Sequence, residues 1–193
     1  MAKLPLTLAV LVAALATAVS AQTYSEANPP VYADLEWGQS ASSARRSIER
    51  KGWKFDEAED DGLSIFWGTV MGERGLLFLY ASPELGLQKV IVWVMTDEKW
   101  PLAKASYYTL VSAMSDRYGE PDSSYDFLAS PYDDMAGYEC AAFASENGHY
   151  ISTWFNNKVG TDIDRDCDVR VSYEGPRYDE FLLQQRDERT ADF

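Results

Sequence analysis

The chain has 193 residues, of which 31 are acidic and 17 are basic, and its formal net charge is −14 at pH 7. This acidic balance argues against nucleic acid and anionic membrane surfaces as partners, because both are bound through basic patches. The 6 Trp, 12 Tyr and 8 Phe residues all follow residue 21. So many aromatic side chains are typical of a folded domain with a core and not of a disordered chain.

Residues 1–21 have the features of a cleaved secretory signal peptide. Lys3 supplies a positive start, an apolar run extends from Leu4 to Val19, and small residues precede a cleavage point before Gln22. The apolar run is about 16 residues long, shorter than the roughly 20 that span a bilayer, although an uncleaved anchor remains the alternative. We expect a mature periplasmic or extracellular protein that is not inserted in a membrane.

The first part of the mature chain contains one helix between extended segments. Residues 22–31 are polar, end in two prolines and predict a flexible leader before a single domain at 32–189. Alternation over Tyr32–Trp37 predicts a short strand, and Ser40 is a candidate N-cap for a helix that ends near Lys51. Three strand-like runs follow, at 63–71, 76–81 and 87–95. The last run has apolar residues on both faces and predicts a central strand.

The order of a helix followed by strands then recurs. A second helix is predicted at 101–118, with Pro101 in its first turn, Gly119 as its cap and an apolar stripe at Tyr107, Val111, Met114 and Tyr118. Strand candidates follow at Tyr138–Ala144, Tyr150–Phe155 and Cys167–Tyr173, and residues 176–189 predict a short tail helix.

These elements predict an α+β fold with two layers. The helices at 40–51 and 101–118 are expected on one face of an antiparallel sheet, as the only long helices, since short turns between strands exclude parallel crossovers. The sheet is expected to come from two helix-plus-three-strand pseudo-repeats, at about 32–97 and 98–174.

Two segments carry a resemblance to known families. LEWGQSASSARRSIERKGWKF at 35–55 and YYTLVSAMSDRYGEPDSSY at 107–125 are similar to repeats of small exported bacterial domains. Those are the β-lactamase-inhibitor-like domains and the small lipoproteins of outer-membrane assembly. The resemblance spans about 32–174 and implies helices on one face of an antiparallel sheet and a role in protein contact, not catalysis. The lipid-attachment cysteine of the lipoproteins has no counterpart near residue 22, and no binding residues carry over.

Cys140 and Cys167 predict a disulfide bond. An even pair of cysteines in an exported chain is typically oxidised, and a closed loop of about 27 residues would stabilise the fold by roughly 3.5 kcal/mol. We expect the bond to join adjacent strands or to cross one strand end. A zinc site lacks further ligands in suitable spacing, and a nucleophilic cysteine would have only His149 as a base.

The stretch GTDIDRDCDVRVSY at 160–173 places acids at alternate positions, among them Asp162, Asp164 and Asp166. A helix-loop-helix calcium loop that starts at Asp162 would need Gly where Cys167 stands and Glu where Tyr173 stands. The stretch is therefore interpreted as a polar hairpin connection, with a looser calcium site at the three aspartates as the alternative. No other cofactor is expected.

No catalytic motif is present in the sequence. His149, the only histidine, lies in a turn before a strand, and the chain lacks a nucleophile elbow, a phosphate-binding glycine loop and a zinc-binding helix. Acids stand among aromatic residues in a segment that reads as a loop, and such a combination often holds sugars. The candidate binding residues are Tyr125, Tyr132, Asp133, Asp134 and Tyr138.

Three functions are compatible with these features. The leading hypothesis is a non-enzymatic protein-interaction or structural module that contacts a protein partner through an exposed sheet face and the aromatic loop 123–138. One alternative is a glycan-binding or glycan-cleaving protein, in which Asp133 or Asp134 faces a second carboxylate. The other is a secreted domain stabilised by calcium. The oligomeric state and the identity of the partner do not follow from the sequence.

Overall fold

The computed structural model describes residues 23–58 and 62–191, with side chains described up to residue 187. The predicted signal peptide at 1–21 lies outside the described residues. The described part of the chain forms four α-helices, a short 3-10 helix and one antiparallel sheet of eight strands. In chain order the elements are α1 (Ala41–Arg50), β1 (Lys54–Ala58), β2 (Leu63–Val70), β3 (Glu73–Ser82), β4 (Gly86–Val94), α2 (Trp100–Tyr118), β5 (Ser123–Leu128), the 3-10 helix (Tyr132–Asp134), α3 (Glu139–Ala144), β6 (Gly148–Trp154), β7 (Val159–Ile163), β8 (Val169–Glu174) and α4 (Tyr178–Ala191).

The sheet has the order β1-β2-β3-β4-β8-β7-β6-β5, so each half of the chain supplies one half of the sheet. The halves meet where β4 pairs with β8, with Val92 opposite Val171. Consecutive side chains of a strand point to opposite faces, and every residue of β4 is buried or half-buried. The central strand predicted at 87–95 is therefore confirmed.

Helices α1 and α2 pack on the same face of the sheet. Ala44 and Ile48 of α1 and Met114 of α2 belong to one core cluster with Val90 and Val171. Ser40 caps α1 by accepting a hydrogen bond from the Ser43 N–H, as its position in the sequence predicts. Among the described residues, no helix is both long enough and apolar enough to cross a membrane.

Two predicted strands are wrong. Tyr32–Trp37 forms turns, because the backbone at Ala33 is left-handed (φ 54°) and the chain cannot continue in an extended conformation. Tyr138–Ala144 contains helix α3, because the alanine-rich sequence from Glu139 onward has high helix propensity. Alternation of apolar side chains alone therefore misassigned both segments.

The predicted number of strands is also wrong, since each half of the chain has a helix followed by four strands. β1, β5 and β7 are not among the predicted strands, because they are short and rich in polar residues.

The helices are not confined to one face, and α1 and α2 are not the only long ones. α4 has 14 residues, and the hydroxyl of its Tyr178 accepts a hydrogen bond from Lys89. The side chain of Lys89 points away from the face that Val90 shares with α1 and α2, so α4 begins on the opposite face.

Residues 23–31, for which the sequence predicts a flexible leader, lie against the end of α2. The ring of Tyr24 packs edge-on against Tyr118 and Phe155, with centroid distances of 5.5 and 6.1 Å. Pro29 is buried, and its carbonyl accepts a hydrogen bond from the Trp37 indole. These contacts hold the segment at the C-terminal end of α2 and beside the residue that follows β6.

Candidate functional site

Two ion pairs occupy the centre of the sheet face opposite α1 and α2. Lys89 on β4 donates to Glu174 on β8 over 2.9 Å. Arg170 on β8 makes two hydrogen bonds of 3.0 and 2.5 Å to the Asp162 carboxylate on β7, and this contact raises the pKa of the guanidinium. Each charge thus has a partner of opposite sign, which leaves the centre of this face electrostatically balanced.

Beside the ion pairs, three apolar side chains and a histidine are exposed on the same sheet face at its β5–β6 end. We call Tyr125, Phe127, His149 and Ile151 the edge patch. Tyr125 stands opposite Ile151 in the strand pairing, and the Phe127 ring lies 4.8 Å from the His149 ring. Tyr125 is 54% exposed, Phe127 50% and Ile151 37%. Because these side chains are cross-strand neighbours, their exposed surfaces are contiguous.

The other side of β5 borders a groove of about 430 Å³. We call it the acidic groove, since four carboxylates line it: Asp126, Asp133, Asp134 and Glu139. Trp100 and Tyr150 also line the groove, with their rings edge to face at 5.2 Å. Lys104 is the one cation among its described lining residues, and its Nζ lies 5.6 Å from the Trp100 ring centroid.

The five residues predicted for binding divide between these two surfaces. Tyr125 belongs to the edge patch, whereas Tyr132, Asp133 and Asp134 form the 3-10 helix and line the acidic groove. Tyr138 is 57% exposed just before α3 and lies outside the groove lining. The predicted loop 123–138 begins as strand β5, so its first part is a sheet edge and not a loop.

Hydrogen bonds fix β5 against α2 and β6. The Tyr107 hydroxyl lies 2.8 Å from Ser152 Oγ, which in turn lies 2.8 Å from Ser124 Oγ on β5. Tyr108 donates to Asp126 Oδ2 over 3.0 Å. Burial raises the pKa of both tyrosines, and the bond to the Asp126 carboxylate raises that of Tyr108 further. Both hydroxyls therefore remain neutral donors at neutral pH.

The predicted disulfide between Cys140 and Cys167 is present, with a Cα–Cα distance of 5.2 Å. Its predicted location on strands is wrong, because Cys140 lies in α3 and Cys167 in the turn between β7 and β8. Cys167 adopts a left-handed backbone (φ 65°) in that turn and is fully buried. The bond attaches α3, which carries Glu139 at its start, to the sheet and thereby anchors one wall of the acidic groove.

Two of the three aspartates considered for calcium, Asp162 and Asp164, have separate protein partners for their carboxylates. Asp162 is held by Arg170, and Asp164 Oδ1 accepts hydrogen bonds from the N–H groups of Asp166 and Asp168. Burial raises the pKa of Asp164. In the part of the chain with described side chains, no group of three or more Asp, Glu, His or Cys residues is arranged to hold a metal ion.

Several residues of the two surfaces were missed from the sequence. Phe127 and Asp126 were overlooked because the segment was read as a loop, although Ser124, Asp126 and Leu128 alternate there with the two aromatic residues. Trp100 directly precedes the helix predicted at 101–118, and its contact with Tyr150 depends on tertiary packing. No protein-family model, no curated protein and no solved structure matches this chain.

Proposed function

We propose that this protein is an exported, non-enzymatic interaction module that binds a protein partner at the edge patch. The observation that carries the proposal is the exposure of Tyr125 and Phe127, each by half or more, side by side on the last strand of a sheet. Isolated apolar residues are common on protein surfaces, but contiguous ones at an open edge are typical of contact sites.

Export belongs to the same proposal. The signal-like segment at 1–21 and the Cys140–Cys167 bond both favour an oxidising compartment, the periplasm or the extracellular space. The resemblance to exported protein-contact domains favours the same role.

We also propose that the two halves of the chain are pseudo-repeats, each of which supplies one half of the sheet and one helix, α1 or α2, to the layer that covers one face of the sheet. The support is that each half has a helix followed by four strands, with the 3-10 helix and α3 between β5 and β6 in the second half. In addition, β4 and β8, the last strand of each half, meet at the centre of the sheet. In this proposal the edge patch belongs to the first strand of the second repeat and its neighbour β6.

Site-specific photocrosslinking in the producing cell tests the interaction. A crosslinking amino acid replaces Phe127 in one variant and Ala113, on the exposed side of α2, in a matched control. We expect a discrete protein adduct at position 127 that is absent at position 113. Equal adducts at both positions, or none at 127 in cells that export the protein, would reject the proposal.

A second candidate function is glycan binding, which the acidic groove favours. Aromatic rings and carboxylates line one concavity there, and this is the composition of many sugar sites. The test is binding to a glycan array by the protein and by the variant Asp133→Asn/Asp134→Asn. A glycan signal that the double variant loses, with no protein adduct at position 127, would favour this candidate over the interaction module.

A further inference from the structure

The outer edge of β5 carries backbone groups that no strand in the described chain pairs. β5 ends the strand order, and its six residues pair with β6 without an offset. The Ala129 N–H donates to the Asn147 carbonyl in the same register, so the backbone groups of Tyr125 and Phe127 point to β6. Since the direction alternates along an antiparallel strand, the N–H and C=O groups of Ser124 and Asp126 point outward.

The side chains beside this edge form two different surfaces. Tyr125 and Phe127 belong to the edge patch, and Asp126 lies on the opposite sheet face at the acidic groove, which Phe127 also borders. A strand added to β5 would direct alternate side chains to these two surfaces. Such a strand would place apolar residues over the aromatic rings and its other residues over the groove.

The negative charge of the acidic groove indicates which residue types an added strand would direct toward it. Four carboxylates stand against the single cation Lys104 among the lining residues, in a protein of net charge −14. Lysine or arginine side chains would be attracted to the carboxylates. Their cationic groups would also be favoured near Trp100 and Tyr150, because a cation interacts with the face of an aromatic ring.

The same charges disfavour a second copy of this chain as the occupant. Two β5 strands paired across a two-fold axis would bring two acidic grooves together. The other edge strand, β1, contains Asp56 and Glu57, and three more acidic residues follow it in the sequence at 59–61, so pairing of β1 with β5 of another copy would also oppose like charges.

We propose that β5 binds an extended, basic segment of the partner protein as a ninth strand, in which lysine or arginine alternates with apolar residues. This inference rests on the proposed function and identifies the chemistry of its partner. The backbone of the segment pairs with Ser124 and Asp126, its apolar side chains cover the edge patch, and its basic side chains enter the acidic groove.

The probe that tests the inference is a fluorescent peptide that alternates Lys and Val over about the length of β5. Its affinity is measured by anisotropy at physiological salt, against a matched peptide that alternates Glu and Val. Two further peptides have the Lys sequence with N-methyl groups either on the Lys amides or on the Val amides, and each pattern removes the donors from one edge only. We expect binding of the Lys peptide, at least tenfold weaker binding of the Glu peptide, and weakening of similar size when the edge facing β5 is methylated.

Two matched variants locate the binding. Asp133→Asn/Asp134→Asn removes two charges at the groove, and Asp116→Asn/Glu120→Gln removes two exposed charges at the end of α2. We expect the groove variant to weaken binding about fivefold or more, from the usual energies of exposed charge pairs, and the control variant by less than twofold. Ser124→Pro removes an outward N–H and should also weaken binding, while thermal melting reports whether the variant folds.

Three results would overturn the inference. The first is equal affinity for the Lys peptide and its N-methylated forms, which would mean charge attraction without strand pairing. The second is equal loss in both charge variants. The third is a wild-type dimer in sedimentation that Ser124→Pro converts to a monomer. If the peptides fail while a protein adduct still forms at position 127, the interaction module stands and the basic strand is rejected; if the adduct is absent as well, both proposals fail.

Discussion

β1 and β5 are the two edge strands of one sheet, and they meet solvent differently. β1 carries Lys54, Asp56 and Glu57, and its pairing with β2 shifts register between Phe55 and Glu57. The Asp56 carboxylate also accepts a hydrogen bond of 2.8 Å from the Trp67 indole. Charged side chains and irregular pairing are how natural proteins prevent another strand from adding to an edge.

β5 has few of these protections. Its pairing with β6 is regular, and its exposed residues include Tyr125 and Phe127 on one face, with Asp126 on the other. A regular, unprotected edge strand can pair with a strand of another chain, and the surrounding carboxylates restrict which strand can approach. In the proposed mode of binding, charge closes one edge of this sheet and selects the partner at the other.

The two ends of the sheet are also held by different forces, and the largest effect is expected at the β1 end. Trp53 is buried in the core cluster, and a Cβ on Gly68 would lie 2.4 Å from its ring, so glycine at 68 makes room for it. Trp53→Ala should lower the free energy of unfolding by about 4 kcal/mol, through lost burial and the cavity left behind. Urea denaturation measures this.

The same variant tests whether the ends are independent. In the folded fraction, Trp53→Ala should leave peptide binding at β5 unchanged, because Trp53 and β5 lie at opposite ends of the sheet. If Trp53→Ala lowers the free energy of unfolding by less than about 1 kcal/mol, the ring contributes little to the core. A loss of peptide affinity would show that the two edges are coupled.

The next effect in size is expected at the β5 end, where the disulfide joins α3 to the turn between β7 and β8. Cys140→Ala/Cys167→Ala should lower the free energy of unfolding by about 3.5 kcal/mol, from the closure of a 27-residue separation. Unlike Trp53→Ala, it should also weaken peptide binding, because α3 loses its bond to the β7–β8 turn. Unchanged denaturation in reducing and oxidising buffer would contradict the expected contribution of the bond.

The sequence predicted the β1–β4 half better than the half that contains β5. Long apolar strands such as 76–81 and 87–95 follow an alternation that burial enforces, and the structure confirms them as β3 and β4. β5 and β7 are short strands that lack a long apolar run. β5 lies at an open edge, and β7 contains small or polar residues such as Gly160 and Asp162. Their pairing depends on neighbours distant in sequence, which a local pattern does not contain.

The candidate site shows the same limit. Asp133 and Asp134 were identified from acids among aromatic residues, and both line the acidic groove. Trp100 and Tyr150 complete the groove from positions 50 residues apart, through a packing contact that no spacing in the sequence predicts. The disulfide pair was predictable because it needs only two cysteines and an oxidising compartment, whereas its place in α3 was not.

A smaller effect is expected from the hydrogen bonds that hold β5 to α2. Tyr107→Phe removes the hydroxyl that contacts Ser152, and Ser152 retains its contact with Ser124. We expect a loss of about 1 kcal/mol in the free energy of unfolding, the usual net value of one such bond. Thr109→Val, which removes a hydroxyl bonded within the same helix, is the control and should cost less. Equal losses would mean that the Tyr107 bond does not join the elements.

The next effect is a change in the pKa of Tyr108, which reports the charge of Asp126 at the β5 edge. The accompanying change in the free energy of unfolding is expected to be small. Burial and the bond to Asp126 raise the pKa of Tyr108 above its ordinary value of 10.0. In Asp126→Asn the pKa should fall part of the way, because the carboxylate no longer opposes ionisation while burial remains. NMR of labelled tyrosine, assigned with Tyr108→Phe, follows the titration. A pKa unchanged in Asp126→Asn would show that the carboxylate does not act on this hydroxyl.

The smallest effect, a change of zero, is expected when calcium is added. A calcium site at Asp162, Asp164 and Asp166 would have to break the Arg170 contact and the backbone hydrogen bonds to Asp164. Burial already raises the pKa of Asp164, which opposes the ionised form that calcium requires.

The melting temperature should therefore be the same with millimolar calcium and with chelator, at matched ionic strength, since weak extracellular sites bind in that range. Arg170→Ala sharpens the test by releasing Asp162. If calcium raises the melting temperature of this variant alone, the arginine occupies the place of a cation. If calcium raises that of the wild type, while magnesium does not, the aspartates form a site despite their protein partners. The charge at the centre of the sheet face would then depend on bound calcium. The difference in charge between this centre and the acidic β5 edge would have to include the charge of the ion.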